Sequence, residues 1–299
     1  MELRHLRYFV AVAETGSLTD AAEHRLFTSQ PSLSRQIRDL EDEVGAPLLT
    51  RSARGVELTP SGRAFLDQAR IALAHVDTAV EAARRAASPA KPVFALGFLT
   101  GTEMTWLPKA MQVLRDELQG IDVTVSSDYS PDLADALARG RLDAAFVRVE
   151  PGRDLAYRIV HREPLVVLMP SDHALASRER ISPRDFEGEI LVRASNKATV
   201  LRAVIDTYLE ESQVAVTREH GVDNLAMAMS LVASTGGLAL MPAYAMHLLP
   251  RSVVSRPLDG QAPTIELAVG YSKSNASPQL KLFLSRLDEL ADDGRAIDV

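Results

Sequence analysis

Short or forked hydrogen-bond donors are concentrated near the start of residues 29–44 in this 299-residue chain. Such side chains can hold phosphates and read base edges. If the segment is a helix, the acids Glu41, Asp42 and Glu43 lie at its far end. An anionic partner would therefore meet the N-terminal half, as when a recognition helix enters the major groove of DNA. The predicted contact residues are Gln30, Pro31, Ser32, Ser34, Arg35 and Arg38.

Two more arginines follow in a predicted hairpin. Residues 48–51 and 55–58 are short runs joined by three residues, and Arg51 and Arg54 lie at the tip. An arginine at such a tip can enter a narrow minor groove, where negative potential is concentrated. A solvated charged face explains any one of these arginines equally well, but it explains the cluster less well.

A second group of polar residues follows the predicted strands of the C-terminal two hundred residues. Those strands are 93–98, 121–125, 142–147, 165–169, 190–192, 238–241 and 265–271, and the helices between them begin at Ser130, Ser182, Asp223 and Ser277. Ligands of open α/β sheets bind at the carboxyl ends of strands. The candidate ligand-binding residues at these ends are Thr100, Gly101, Thr102, Ser130, Asn196, Lys197 and Thr199. Their hydroxyls, amide, cation and helix starts suit a carboxylate, although each Ser or Thr is more often only a helix cap.

The donor-bearing segment needs a scaffold, and its apolar residues provide one. Leu33, Ile37, Leu40 and Val44 recur at helical spacing and are predicted to be buried. Pro31 suits the first turn of a helix. Two earlier helices, in residues 3–13 and 18–26, would brace it.

A long helix is predicted after the hairpin. Thr59 caps it, Pro60 begins it, and neither Gly nor Pro recurs between residues 63 and 88. An alanine-rich stripe that includes Ala72, Val76 and Val80 repeats about every seven residues. This stripe is either a dimer seam or a surface packed on its own domain. Residues 88–92 break the helix as a hinge.

Composition excludes several classes of function. The chain has no cysteine, so a disulfide framework, a thiolate metal site and a thiol redox sensor are excluded. Its seven histidines are scattered and no catalytic motif occurs, so we expect neither a metal, a cofactor nor an enzyme. There is no apolar run of eighteen residues and no signal peptide, which predicts a soluble cytoplasmic protein. The net charge of −7 argues against coating nucleic acid.

The spaced motifs AVAETGSLTDAA, SQPSLSRQIRDLE, LLTR and GVELTPSG strongly resemble the winged helix-turn-helix of LysR-type transcriptional regulators. One departure lies in residues 23–28, which hold one residue more than the family usually has there. The resemblance continues more weakly through GRLDAAFVR, EPLVVLMPSDHALA and GGLALMPAY. It implies a two-lobed α/β effector domain like that of periplasmic binding proteins. Within the family the chain looks most like regulators of aromatic-compound catabolism, which implies an aromatic acid or a ring-cleavage dicarboxylate as effector.

We therefore predict a winged helix-turn-helix in residues 1–58, a linker and dimerisation helix in 59–87, a hinge in 88–92 and an effector domain in 93–299. Lobe I comprises about 93–161 and 267–299, and lobe II about 162–266. The expected partners are promoter DNA, a small-molecule effector and further copies of the chain, as a homodimer or a dimer of dimers, with no membrane partner. The alternatives are a cytoplasmic solute-binding or transport accessory protein and an α/β enzyme with an appended DNA-binding domain.

The predicted docking on DNA can be tested at two arginines. Replacing Arg35 or Arg54 with Ala should weaken operator binding by about 1 to 3 kcal/mol and leave folding intact. A gel-shift titration measures the affinity. Wild-type affinity in both variants would show that this docking is wrong.

Overall fold

The computed structural model describes residues 1–52, 55–87, 91–150, 154–216, 218–222 and 224–290. The chain divides into two compact units, Met1–Arg84 and Arg85–Val299. Among the described residues, no helix is both long and apolar enough to span a membrane.

Three helical segments form the first unit. They are α1 (Leu3–Thr15), α2 (Leu18–Asp20), which continues into a π-helix (Ala21–Leu26), and α3 (Gln30–Val44). Ser29 caps α3 by accepting the N–H of Ser32, and a proline follows at the start of the helix, as predicted. Leu33, Ile37 and Leu40 are buried in the common core. Val44 is not: it is 37% exposed, because the stripe runs out where Gly45 ends the helix.

A two-stranded hairpin follows α3, with β1 (Leu49–Ser52) paired antiparallel to β2 (Gly55–Leu58). The Glu41 carboxylate accepts the N–H groups of Leu48 and Leu49 at 2.7 and 2.9 Å. This acid therefore fixes the hairpin against the end of α3, a role that its place in an acidic run did not indicate.

The long helix α4 (Pro60–Ala87) begins immediately after the hairpin. Its first turns are anchored by Leu66 and Ala69, which are buried, and by Phe65, whose ring lies edge-on to Phe9 at 5.3 Å. Farther along, Val76 is only partly buried and Val80 is 44% exposed. Among the described residues of the first unit, the apolar stripe of α4 is therefore exposed at Val80 and only partly buried at Val76.

The second unit is an α/β fold of nine strands and five α-helices within the described residues. The strands are β3 (Val93–Leu99), β4 (Asp122–Asp128), β5 (Ala144–Val147), β6 (Leu155–Pro170), β7 (Ile190–Arg193), β8 (Arg218–Gly221), β9 (Ala239–Pro242), β10 (Val253–Pro257) and β11 (Thr264–Ser272). The helices are α5 (Glu103–Val113), α6 (Ser130–Ala138), α7 (Thr199–Glu211), α8 (Leu225–Thr235) and α9 (Pro278–Ser285).

Two lobes share the long strand β6. In lobe I the strand order is β4, β3, β5, β11 and the first part of β6, with β3 parallel to β4 and β5. In lobe II the last part of β6 lies between β9 and β10. The β7–β8 pair joins the edge of β9 through main-chain bonds between residues 190–192 and Leu238. Each lobe carries hydrophobic cores on both faces of its sheet.

The structure corrects several boundaries. We predicted a strand at residues 165–169, but it is only the last part of the sixteen-residue β6, which begins at Leu155. Two charged residues and a proline within β6 would be expected to end a strand. The strand nevertheless continues, and Arg162, Glu163 and Pro164 all pair with β11. Strands β8 and β10 were not predicted, and Ser182 begins only a 3₁₀ turn, Pro183–Phe186. The helix start predicted at Asp223 lies outside the described residues, and Asn224 caps α8.

The partly exposed stripe of α4 predicts the effect of a single substitution. If the stripe is a dimer seam, Val76→Glu places like charges face to face in an apolar interface and should weaken the dimer by about 3 kcal/mol or more. Sedimentation velocity measures the oligomeric state. An unchanged oligomer would place the seam elsewhere on the chain.

Candidate functional site

A cavity opens at the carboxyl ends of strands from both lobes. It encloses about 610 Å³, including the part open to solvent. Lobe I contributes residues after β3, β4 and β5, and lobe II contributes residues after β7, β8 and β9. The lining is mainly apolar: Leu99, Tyr129, Val200, Leu201, Val222, Leu225, Met241, Pro242 and Tyr244.

Arg148, the residue after β5, is the buried cation of this cavity. Its side chain is 4% exposed, and its Nη2 donates to Glu163 Oε1 at 3.0 Å. The other terminal nitrogen, Nη1, is buried and has no hydrogen-bond partner among the residues that the structure describes. A buried guanidinium N–H without an acceptor is costly. The cavity lies next to this side chain, so an anionic group there can supply the missing acceptor.

Glu163 holds Arg148 and also reaches the other lobe. Its second oxygen, Oε2, accepts the backbone N–H of Tyr244 at 2.8 Å. The Tyr244 hydroxyl in turn donates to the Thr100 carbonyl at 3.4 Å. Burial raises the pKa of the Tyr244 phenol well above its usual value, so the hydroxyl stays a neutral donor. These bonds join the two walls of the cavity at its base.

Three helices begin at the cavity. Ser130 starts α6, Thr199 starts α7, and Asn224 caps α8 by accepting the N–H of Met227 at 2.9 Å. All three residues line the cavity. The N-terminal end of a helix carries a partial positive charge, so their convergence favours an anion.

Two side-chain hydrogen bonds connect the two lobes across the cleft. Lys197 Nζ donates to Asp132 at 2.9 Å, and this hydrogen bond raises the pKa of Lys197. The Thr199 hydroxyl donates to Glu150 at 3.1 Å. Burial raises the pKa of Glu150, and the Thr199 bond only partly offsets this. The mouth therefore presents one cation that is already paired and one partly desolvated acid.

The predicted ligand-binding residues separate into two groups. Thr100, Ser130, Lys197 and Thr199 line the cavity, and Asn196 lines its outer opening together with Lys197. Gly101 and Thr102 are not among the lining residues. Thr102 is only 1% exposed and its hydroxyl donates to the Leu99 carbonyl at 2.7 Å, so it closes the turn after β3. This geometry does not favour the prediction that the Thr102 hydroxyl binds ligand.

Arg148, the most distinctive residue at the site, was not among the residues predicted from the sequence. Arg148 directly follows the predicted strand 142–147, so the strand-end rule that selected Thr100 and Ser130 would also have selected it. Glu163 and Tyr244 carried no comparable signal. Trp106 lies in the core of lobe I, 5.6 Å from the Phe146 ring, and is not among the residues lining the cavity.

The donor cluster of α3 forms one end of the first unit. Pro31, Ser32, Arg35 and Arg38 are exposed and Gln30 is partly exposed. Ser34 is 5% exposed, which contradicts its assignment as a surface contact: it lies beside Leu33 and faces the core. The side chain of Arg51 and all of Arg54 lie outside the described residues.

Together these features define a two-part protein, a winged helix-turn-helix unit followed by a two-lobed ligand-binding unit. No group of His, Asp or Glu among the described residues is arranged to hold a metal ion. Two family profiles match this division. "Bacterial regulatory helix-turn-helix protein, lysR family" covers residues 3–63, and "LysR substrate binding domain" covers residues 88–292.

The chain belongs to the LysR family: it is a DNA-binding transcriptional regulator with an effector-binding domain. It is 34% identical over 291 residues to the Hca operon transcriptional activator HcaR of Escherichia coli (strain K12), covering 97% of this chain and 98% of HcaR. It is 32% identical over 295 residues to the regulator CatR of Pseudomonas putida, covering 98% and 100%. The crystal structure of full-length BenM matches with a TM-score of 0.58 at 27% identity, over 97% of this chain and 96% of that one. These findings confirm the predicted family and two-lobed fold.

Proposed function

We propose that the chain is a cytoplasmic regulator whose promoter binding responds to an aromatic monocarboxylate, held with its carboxylate on Arg148. The observation that carries this proposal is that Arg148 lines the cavity while its buried Nη1 has no hydrogen-bond partner among the described residues. A carboxylate oxygen at hydrogen-bond distance would give that nitrogen a charge-assisted partner. The helix starts at Ser130, Thr199 and Asn224 favour the same charge.

The rest of the lining supports an apolar, ring-shaped body. Val200, Leu201, Leu225 and Met241 provide aliphatic contacts, and Tyr129 provides an aromatic one. A pocket of this kind fixes orientation with few polar groups and gains affinity from apolar burial.

Charge balance favours one carboxylate over two. The cations Arg148 and Lys197 are each already paired, with Glu163 and Asp132. Glu150 adds a third acid with no cationic partner among the described ion pairs. A ring-cleavage dicarboxylate would therefore bring its second charge towards an already anionic mouth, whereas an aromatic acid would not.

The proposal includes no catalysis. Ser130 and Ser195, the two serines of the cavity, each accept a backbone N–H, from Arg148 and Lys197. No histidine is present among the described lining residues to serve as their base. Dimerisation through α4, and DNA contacts by Gln30, Pro31, Ser32, Arg35, Arg38, Arg51 and Arg54, complete the proposed regulator. Lobe closure on the effector would shift the population of DNA-binding arrangements.

A thermal-shift screen of the full chain tests the effector class. Aromatic monocarboxylates, their primary amides and aliphatic dicarboxylates are compared at equal concentration. A ligand at a hundred times its dissociation constant should stabilise the native state by about 2.7 kcal/mol. We expect the monocarboxylates to stabilise most and the amides least, because only the carboxylate completes the Arg148 guanidinium. Strongest stabilisation by the dicarboxylates would contradict the charge argument.

The role of Arg148 in binding the effector carboxylate is then tested with variants. Arg148→Gln alone would leave Glu163 buried without its partner, so the double variant Arg148→Gln, Glu163→Gln is used. It should fold and lose about 1.5 to 3 kcal/mol of effector affinity. Thr102→Val is the matched control, since its hydroxyl bonds Leu99 and should leave affinity unchanged. Equal affinity in the double variant and the wild type would place the carboxylate elsewhere.

Glu150 makes the affinity depend on pH. Because burial raises its pKa above the usual value of 4.5, Glu150 takes up a proton at a higher pH than an ordinary carboxyl as the pH is lowered from 7.5. Repulsion of the bound carboxylate then falls, so affinity should rise as pH falls. Isothermal titration at decreasing pH measures the effect, and Glu150→Gln should bind tightly with a flat profile. A wild-type affinity that falls with falling pH would show that Glu150 does not face the ligand.

A further inference from the structure

The turn before α3, where the family resemblance implies one extra residue, contains a change of helix type. The chain leaves α2 as a π-helix, Ala21–Leu26, in which hydrogen bonds span five residues: the Phe27 N–H donates to the Ala22 carbonyl. A π-turn takes up one additional residue within a helix and occurs frequently at functional sites. Ala21 and Ala22 stay fully buried, so the insertion does not disturb the core.

The segment instead places one aromatic side chain, that of Phe27, at the surface. Phe27 ends the π-helix in the left-handed conformation, with φ of 49°, which is uncommon for a bulky residue. Its side chain is 87% exposed, the largest fraction among the exposed large hydrophobic residues described. A left-handed backbone opposes folding, and a solvated aromatic ring contributes nothing to stability. Their coincidence at one residue points to a functional constraint.

The position of Phe27 indicates its partner. It lies two residues before Ser29, the cap of α3, and three before Gln30. It therefore adjoins the end of α3 that carries the exposed donors Ser32 and Arg35. Where this end enters the major groove, the apolar group exposed on the base edges is the C5 methyl of thymine, and phenylalanine is among the side chains that contact it.

We propose that Phe27 is a specificity-determining residue that contacts thymine methyl groups in the major groove of each half-site. The proposal rests on the docking of α3 on DNA and is independent of the effector site. It assigns the role of the inserted residue: the π-turn holds an aromatic ring beside the recognition helix without shifting that helix in its core.

The test removes the methyl group from the DNA and the ring from the protein. A duplex is selected from a random pool by the full chain, and each thymine in turn is replaced by deoxyuridine. Wild-type affinity should fall about fivefold or more at one or two positions of each half-site. Phe27→Ala should show a similar loss on the thymine duplex and no further loss at those positions. Unchanged affinity in Phe27→Ala, or equal deoxyuridine losses in both proteins, would overturn the proposal.

Three further variants make the result specific. Arg35→Ala should weaken binding to thymine and deoxyuridine duplexes equally. If it does not weaken binding at all, α3 does not dock as proposed, and the role of Phe27 fails with it.

Phe27→Gly, which suits a positive φ, should retain or raise the melting temperature while losing the same affinity as Phe27→Ala. Met104→Ala, at a residue 67% exposed in the other unit, should change nothing. A change of oligomeric state in Phe27→Ala without a change of DNA affinity would assign the ring to a second copy of the chain and contradict the proposal.

Discussion

The buried pair of Arg148 and Glu163 is the interaction on which the architecture of the cleft depends. Glu163 lies within β6, the strand that both lobes share, and it bonds Arg148 of lobe I and the Tyr244 N–H of lobe II. A buried ion pair is seldom a net source of stability, because desolvation opposes the attraction. The pair instead fixes the position of Arg148 in the cavity wall: one terminal nitrogen is bonded to the carboxylate, and the other is buried with no partner among the described residues.

An acid also fixes two elements against each other in the DNA-binding unit. Glu41 uses its carboxylate to hold the N–H groups of Leu48 and Leu49, so the hairpin is fixed to the end of the recognition helix. In each unit an acid thus fixes one element against another. The net charge of −7 is compatible with DNA binding because the charges of α3 are separated along the helix: the exposed Arg35 and Arg38 come first, and the exposed acids Asp39, Asp42 and Glu43 follow.

Sequence periodicity predicted the elements that bury one face. The helical stripe of Leu33, Ile37 and Leu40 and the apolar runs of β3, β5 and β11 were recognised because burial imposes a repeat. Periodicity could not reveal Glu163, whose burial depends on a partner fifteen residues away. Nor could it reveal the burial of Ser34 within α3 or that of Thr102, whose hydroxyl closes the turn after β3. The extra residue near Phe27 was visible in the sequence, but its absorption by a π-helix required the structure. The domain limits and the residues that contact DNA and effector remain predictions.

A crystal structure of the full chain with the aromatic monocarboxylate that stabilises it most would test the central claim directly. We predict one carboxylate oxygen within hydrogen-bond distance of Arg148 Nη1, at about 2.7 to 2.9 Å, with the Glu163 bond to Nη2 retained. The ring should lie among Leu201, Leu225 and Met241. A carboxylate bound away from Arg148, or an Nη1 bonded only to water beside a bound effector, would contradict the account.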